Sequence, residues 1–291
     1  MDATAAMYVS QGIHGIAYGM MLFLIAAGLT LIFGMMDILN LAHAAFFMLA
    51  AYFGYEISRL TGGNYWVALA FAPILTGIIG ILMERFLLRK VQAQGHVVHL
   101  LLTFGIGFII IAFVRAYWGD WAYTLPAPDS LSGLVTIFGM EYPAYRLFMI
   151  GVALFILLFM ILILYKTRLG MIVRAAVSNA DMVDALGINV PLVFMAVFGI
   201  GTWMAGVAGV VVAPILSVNP GLGDQVGMDA FVVVITGGFG SLGGALLVSI
   251  ILGLLNAYGI QFISQYAMVL TFAFMALVLA IRPMGLFGER E

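Results

Sequence analysis

Between Ala230 and Ile281 the chain runs for 52 consecutive residues without an Asp, Glu, Lys or Arg. At about 1.5 Å per helical residue, that is far more than one passage through a hydrocarbon layer of roughly 30 Å. The run therefore has to fold back on itself in an apolar solvent. The rest of the chain agrees, since 65% of its 291 residues are hydrophobic and 8% are charged, against about 25% charged in an ordinary soluble domain. Eleven Lys or Arg and thirteen Asp or Glu cannot supply the polar shell that a water-soluble core of this size needs. A net charge of -2 offers no basic field to nucleic acid, and the lack of cysteine excludes disulfides, thiolate metal sites and cysteine nucleophiles. The expected fold is all-α and polytopic, one transmembrane domain over residues 1–291, with lipid as the solvent of most of its surface.

Apolar runs set the spans. Ile16 to Phe33 is free of acidic and basic side chains and long enough to cross. Further segments are read at Leu39 to Tyr55, Tyr65 to Leu82 after the Gly62-Gly63-Asn64 turn, Leu100 to Val114, Leu147 to Tyr165 and Leu192 to Val212. Within the long uncharged run, Gly237, Gly238, Gly240, Gly243 and Gly244 break the pattern early, and Asn256 to Gln265 is a polar interval. A short or discontinuous segment at Met228 to Gly238, crossing or re-entering, then precedes spans at Ala245 to Ile260 and Tyr266 to Ile281. The total expected is eight or nine membrane segments. Asp2 stands where a cleavable signal peptide carries positive charge, and no Lys or Arg precedes Arg59, so the first apolar stretch is expected to be retained.

Positive charge orients the array. Arg85, Arg89, Lys90, Lys166, Arg168, Arg174, Arg282 and Arg290 fall on one side, and Arg59, Arg115 and Arg146 on the other. The richer side is expected to be cytoplasmic, which puts the amino terminus outside. Trp118, Trp121 and Tyr123 lie on an outer loop, suited to the membrane interface or to packing on their own protein.

Polar residues in such a chain need a reason. Asp37, Asn40 and His43 fall within seven residues between two apolar segments; they either border a translocation path or form a tight inner loop capped by Asp37 or Asn40. VVVITGGFGSLGG has the glycine spacing of a dinucleotide fingerprint, but no acidic residue follows about twenty positions on. In lipid, Gly237, Gly238, Gly240 and Ser241 can instead open a helix beside a substrate path or let another helix approach. Ala245, Ser249, Gly253 and Ala257 repeat every four residues, and with Gly15 and Gly19 they predict close helix packing, within the chain or across a subunit pair. Asp224 and Asp229 read as solvated loop carboxylates or as contacts for an arriving ligand or external binding protein. His43 has no neighbouring ligand to complete a metal site. His96 and His99 could share a helix face but lack a third ligand. No metal site is expected.

KTRLGMIVRAAVSNADMVDALGINVP, Lys166 to Pro191, is the largest polar insertion on the inner side. Met171 to Val177 starts amphipathically, Ser178 or Asn179 can cap a second short helix with Asp181 and Asp184 near its start, and Gly187 can end it. Met182, Val183, Leu186 and Ile188 offer an apolar surface to a cytoplasmic partner or to the membrane interface.

Three separated blocks carry a family resemblance: GLTLIFGMMDILNLAHAAFFMLAAY at Gly28 to Tyr52, TRLGMIVRAAVSNADMVDALGIN at Thr167 to Asn189, and DAFVVVITGGFGSLGGALLVSIILGL at Asp229 to Leu254. With the closing RPMGLFG, they resemble the H-type permease of the branched-chain amino acid importers driven by ATP-binding cassettes. The resemblance spans nearly the whole chain. It implies a conduit working with a homologous second permease, cytoplasmic ATPases that hold ATP and magnesium, and an extracytoplasmic solute-binding protein, in a bacterial or archaeal cytoplasmic membrane. It further implies that Arg174, Ala175, Asp181, Asp184, Ala185, Leu186 and Gly187 belong to the segment that seats in an ATPase groove. Ala44 and Gly243 depart from the family, which commonly has glycine and proline at these places. Branched-chain amino acids are the implied solute, with urea or short amides as relatives.

The chain has no GxxxxGK[ST] loop, and neither Lys90 nor Lys166 is preceded by the required glycines. Any ATP hydrolysis must sit on another polypeptide. The competing reading is an autonomous secondary transporter or channel; the scarcity of intramembrane carboxylates weighs against a proton-coupled carrier.

Overall fold

The computed structural model describes residues 3–91, 94–137 and 139–288. Helix α1 is Ala3–Met36, α2 His43–Leu60 and α3 Tyr65–Met83, which continues through a π-helical turn, Glu84–Leu88, into the short α4, Arg89–Val91. Then come α5 His96–Trp118, strands β1 Leu134–Ile137 and β2 Met140–Pro143, and α6 Ala144–Lys166. Two short helices follow, α7 Arg168–Ser178 and α8 Ala180–Ala185, before α9 Val190–Val212. The last are α10 Leu222–Gly237, α11 Leu242–Ile263 and α12 Ala267–Ile281.

Six of these, among the described residues, are long and apolar enough to cross a bilayer: α1, α3 with its extension, α5, α6, α9 and α11. This corrects the expected eight or nine. The extra segments came from α2, α10 and α12, whose sequences are apolar but which fail the length or composition of a span. Helix α2 has 18 residues and carries Glu56 and Arg59, α10 has 16 and α12 has 15, against about 20 for a full crossing. Hydropathy registers an uncharged run without registering where the helix stops. The expected polar interval after Asn256 is helical as far as Ile263. The connection after α5 also contains a feature absent from the all-α expectation, an antiparallel hairpin pairing Leu134 with Pro143 and Ile137 with Met140.

The long helices divide into a centre and a rim. In the most apolar stretches of α1 and α9, 83% and 78% of residues are buried, whereas in α5 and α6 the share is 28%. Helix α1 lies between α9 and α11 and is buried all round from Met20 to Ala27. The rim helices present Phe104, Phe108, Phe155 and Leu158 outward, which is the arrangement lipid demands.

The bundle has two distinct ends. At one, Asp37 faces His96 at 3.4 Å, Arg89 donates to the Pro191 carbonyl at 2.8 Å, and Leu286 and Phe287 donate backbone N–H groups to Thr236 and Gly237 at 2.9 and 3.1 Å. This end gathers Arg85, Lys90, Lys166, Arg168, Arg174 and Arg282, and we term it the positive end. At the other, Tyr258 donates to the Tyr8 carbonyl at 3.0 Å, Tyr65 shares a 2.8 Å hydrogen bond with Tyr145, and Tyr123 pairs with Val218. Trp118 and Tyr123 pack against Tyr52, while Trp121 is exposed. Asp2 and Arg290 lie outside the described residues, as does the Asp181 side chain.

Candidate functional site

Two places combine irregular structure with polar chemistry: a cavity toward the far end, and the helical pair α7–α8 at the positive end.

The cavity, of about 410 Å³, lies between α1, α10, α11 and α12. Tyr18 of α1 donates its hydroxyl to Oδ2 of Asp229 in α10 at 3.1 Å. Gln225, Asn256, Ser264 and Thr271 add further polar groups to its lining, and Met21, Leu216, Val226 and Phe272 add apolar ones. Asp229 is half-buried in the middle of a helix, not in a solvated loop. Asp224 is exposed in the first turn of the same helix, where a carboxylate favours the dipole. Sequence reasoning missed the cavity because its parts sit on four helices. The one available signal was a carboxylate directly before the 52-residue uncharged run.

The first sequence block divides. Asp37, at φ 52°, closes α1 in a left-handed turn that Asp tolerates better than most residues, and its side chain is exposed. Asn40 and His43 go inward, both essentially fully buried. Asn40 accepts from the Ala42 N–H at 3.1 Å, and His43 Nε2 meets the Ile25 carbonyl at 3.2 Å. Asn40 shapes the turn into α2, and His43 ties the start of α2 to α1. Asn40 Nδ2 and His43 Nδ1 find no protein partner.

The glycine block forms a tight joint. Gly238 and Gly240 take φ of 98° and 75°, turning the chain from α10 into α11, and Ser241 caps α11 by accepting from Gly244 N–H at 3.1 Å. A Cβ on Gly240 would stand 2.6 Å from Gly34 Cα, and one on Gly237 would stand 2.6 Å from the Gly244 carbonyl carbon. Gly243 faces open space. The stripe behind it, Ala245, Ser249, Gly253 and Ala257, is buried and packs within this chain. A Cβ on Gly19 would lie 2.6 Å from the Ser249 carbonyl oxygen, one on Gly15 would lie 2.9 Å from Leu254 Cα, and one on Gly253 would lie 2.6 Å from Gly19 Cα.

At the positive end, Thr167 caps α7 through the Gly170 N–H at 3.2 Å, and Asn179 caps α8 through the Met182 N–H at 2.9 Å. Gly187, at φ 81°, ends α8 with its N–H on the Asp184 carbonyl at 2.8 Å. Ala176, Val183, Val190 and Phe194 form a small apolar core against Met36, so the pair is fastened to the ends of α1 and α9. Ala175, Asp184, Ala185, Leu186 and Gly187 remain exposed, with Met182 at 60% and Leu186 at 73%. Arg174 folds back onto the Leu164 carbonyl and over the Tyr165 ring.

The comparisons with known proteins follow the same lines. A family model described as "Branched-chain amino acid transport system / permease component" matches residues 13–279. The chain belongs to this permease family. It is similar to the high-affinity branched-chain amino acid transport permease BraD of Pseudomonas aeruginosa, 29% identical over 98% of this chain and 97% of that one. LivH of Escherichia coli K12 is 28% identical over 98% and 96%, and a probable LivH of the archaeon Methanocaldococcus jannaschii is 25% identical over 94% and 90%. No solved structure matches. The permease is therefore a multi-pass membrane component of a transport system, not an enzyme, and its membership implies that other subunits work with it. Among the described residues, no three His, Cys, Asp or Glu gather in a way that could hold a metal ion.

One further feature of the permease was not read from the sequence. Glu84, buried in the π-helical turn, accepts from Arg89 Nη2 at 2.9 Å, and the same guanidinium group reaches Pro191. The strut joins the π-helical extension of α3 to the first turn of α9. Its local half was visible as an acid and a base five positions apart; its remote half was not.

Proposed function

We propose that this chain is one of two homologous permeases of an ATP-driven importer and passes a branched-chain amino acid by alternating access. The observation that carries the reading is the α7–α8 pair, capped at both of its starts, seated on α1 and α9, and exposing Met182 and Leu186. A helix pair fastened to two deeply buried helices can convert a push from a partner into a change of bundle packing, provided the partner binds one packing better than the other. The partner fitted to it is a cytoplasmic ATPase, which holds the ATP and magnesium, and the positive end is then the cytoplasmic one. Arg174, Asp181, Asp184, Ala185 and Leu186 belong to the coupling surface and its support, with Gly187 fixing its end. An extracytoplasmic solute-binding protein delivers ligand to the far end. The relatives' branched-chain amino acids are the first solute to test.

The test is uptake of radiolabelled leucine into liposomes holding the complete complex. Uptake is expected only with binding protein outside and ATP on the ATPase side. Equal uptake by this chain alone without ATP would identify a secondary carrier or channel, and uptake of urea or a short amide in preference to leucine would redirect the substrate.

A further inference from the structure

We infer that the cavity between α1, α10, α11 and α12 is a way-station for a zwitterionic amino acid, with Asp229 receiving its ammonium group. This rests on the transport reading above and supplies the residues and ligand chemistry that it leaves open.

The volume, about 410 Å³, lies in the range of roughly 300–1,000 Å³ usual for small-molecule sites. Its lining is mixed in kind. Tyr18, Gln225, Asp229, Asn256 and Thr271 supply hydroxyl, amide and carboxylate groups, and Met21, Leu216, Val226 and Phe272 supply hydrocarbon. That mixture suits a molecule with a charged head and an aliphatic side chain.

Among the described residues lining the cavity, Asp229 is the one charged residue. Its carboxylate has acceptor capacity well beyond the single hydrogen bond from Tyr18, and no described Lys, Arg or His forms a salt bridge with it. It caps nothing, being seven residues into α10. A lone carboxylate among apolar helices is costly, and a cation that visits the cavity offsets that cost. The amide N–H groups of Gln225 and Asn256 are donors fit for the ligand's own carboxylate. The hydrocarbon in the lining favours an amino acid over a bare inorganic cation. Gln225 and Ser264, both exposed, set the mouth toward the far end, and Asp229 lies about 10 Å along α10 from its first residue.

The experiment uses the full complex in liposomes, with leucine as the probe and both leucine uptake and binding-protein-stimulated ATP hydrolysis read out. Asp229→Asn keeps shape and removes charge. It is expected to assemble as the parent does, while leucine taken up per ATP hydrolysed falls about tenfold or more, the scale of losing one partner of a desolvated charge pair; Asp229→Glu should restore part of it. If Asp229→Asn does not assemble, Asn256→Ser and Thr271→Val, which leave the carboxylate in place, carry the test, each expected to lower uptake roughly threefold, the worth of a hydrogen bond. Uptake per ATP hydrolysed within about twofold of the parent in the assembled Asp229→Asn complex, or in both substitute variants, overturns the assignment. So does a loss that removal of sodium from the parent reproduces in full, since Asp229 would then hold an inorganic cation. If the parent complex takes up no leucine with ATP, the transport reading fails, and the assignment with it.

Discussion

Helix α1 meets its neighbours in two opposite ways within a few turns. Along Gly15 and Gly19 it touches α11 backbone to backbone, and an added Cβ would stand within 2.9 Å of main-chain atoms at both positions. At Tyr18, on the same helix, it borders a cavity of about 410 Å³ and reaches α10 by one hydrogen bond. Membrane helices gain little from hydrophobic burial against one another, so backbone proximity and packing have to hold them together. The seam does this and leaves no slack. The cavity keeps the room and the polar groups that a passing solute needs. A transporter requires both, because a bundle without a fixed seam would not transmit motion and one without a void would have nowhere to put its cargo.

The contrast can be broken by substitution. Gly253→Leu drives a side chain into Gly19 and is expected to cost in excess of about 3 kcal/mol, the upper end for overpacking, seen as loss of monodisperse protein on solubilisation. Gly240→Ala combines a collision with Gly34 and a positive φ, and about 2–3 kcal/mol is expected, measurable as a lower midpoint in thermal unfolding in detergent. Gly187, outside both regions, has open space but φ 81°. Gly187→Ala should cost about 1–2 kcal/mol in local strain, lowering ATP-coupled uptake more than the amount of folded complex. Gly243→Ala, in the same glycine block but with no atom within 4 Å of its Cβ, should change stability by less than about 0.5 kcal/mol. A large effect there, or a small one at Gly253, would dissolve the distinction between seam glycines and free ones.

Much of this was legible in residue order. Each of the six long helices contains a long uncharged run, because lipid excludes charge from a span more strictly than water excludes hydrocarbon from a surface. The caps at Asn179 and Gly187 were legible too, being local chemistry. Helix length was not, since Leu39 is as apolar as Leu49, yet α2 starts only at His43. The role of the glycines was half-legible: spacing announced close approach, but only the fold tells that Gly240 meets Gly34 and Gly253 meets Gly19. The Tyr18–Asp229 pair joins residues 211 apart in sequence, and beyond its place directly before the uncharged run Asp229 carries no local pattern that separates it from the exposed Asp224. What a single helix dictates could be read; what four helices make together could not.

The most direct measurement exploits the absence of cysteine. In the full complex, Asn256→Cys on the cavity wall and Ser249→Cys on the seam each create a single site in this chain for a membrane-impermeant thiol reagent. Alternating access predicts that Asn256→Cys reacts from the far side in one nucleotide state of the ATPases and from the positive side in another, while Ser249→Cys stays protected in both. Labelling of Asn256→Cys from the same side in every state, or nucleotide-dependent exposure of Ser249→Cys, would contradict the division between a fixed seam and a switching cavity.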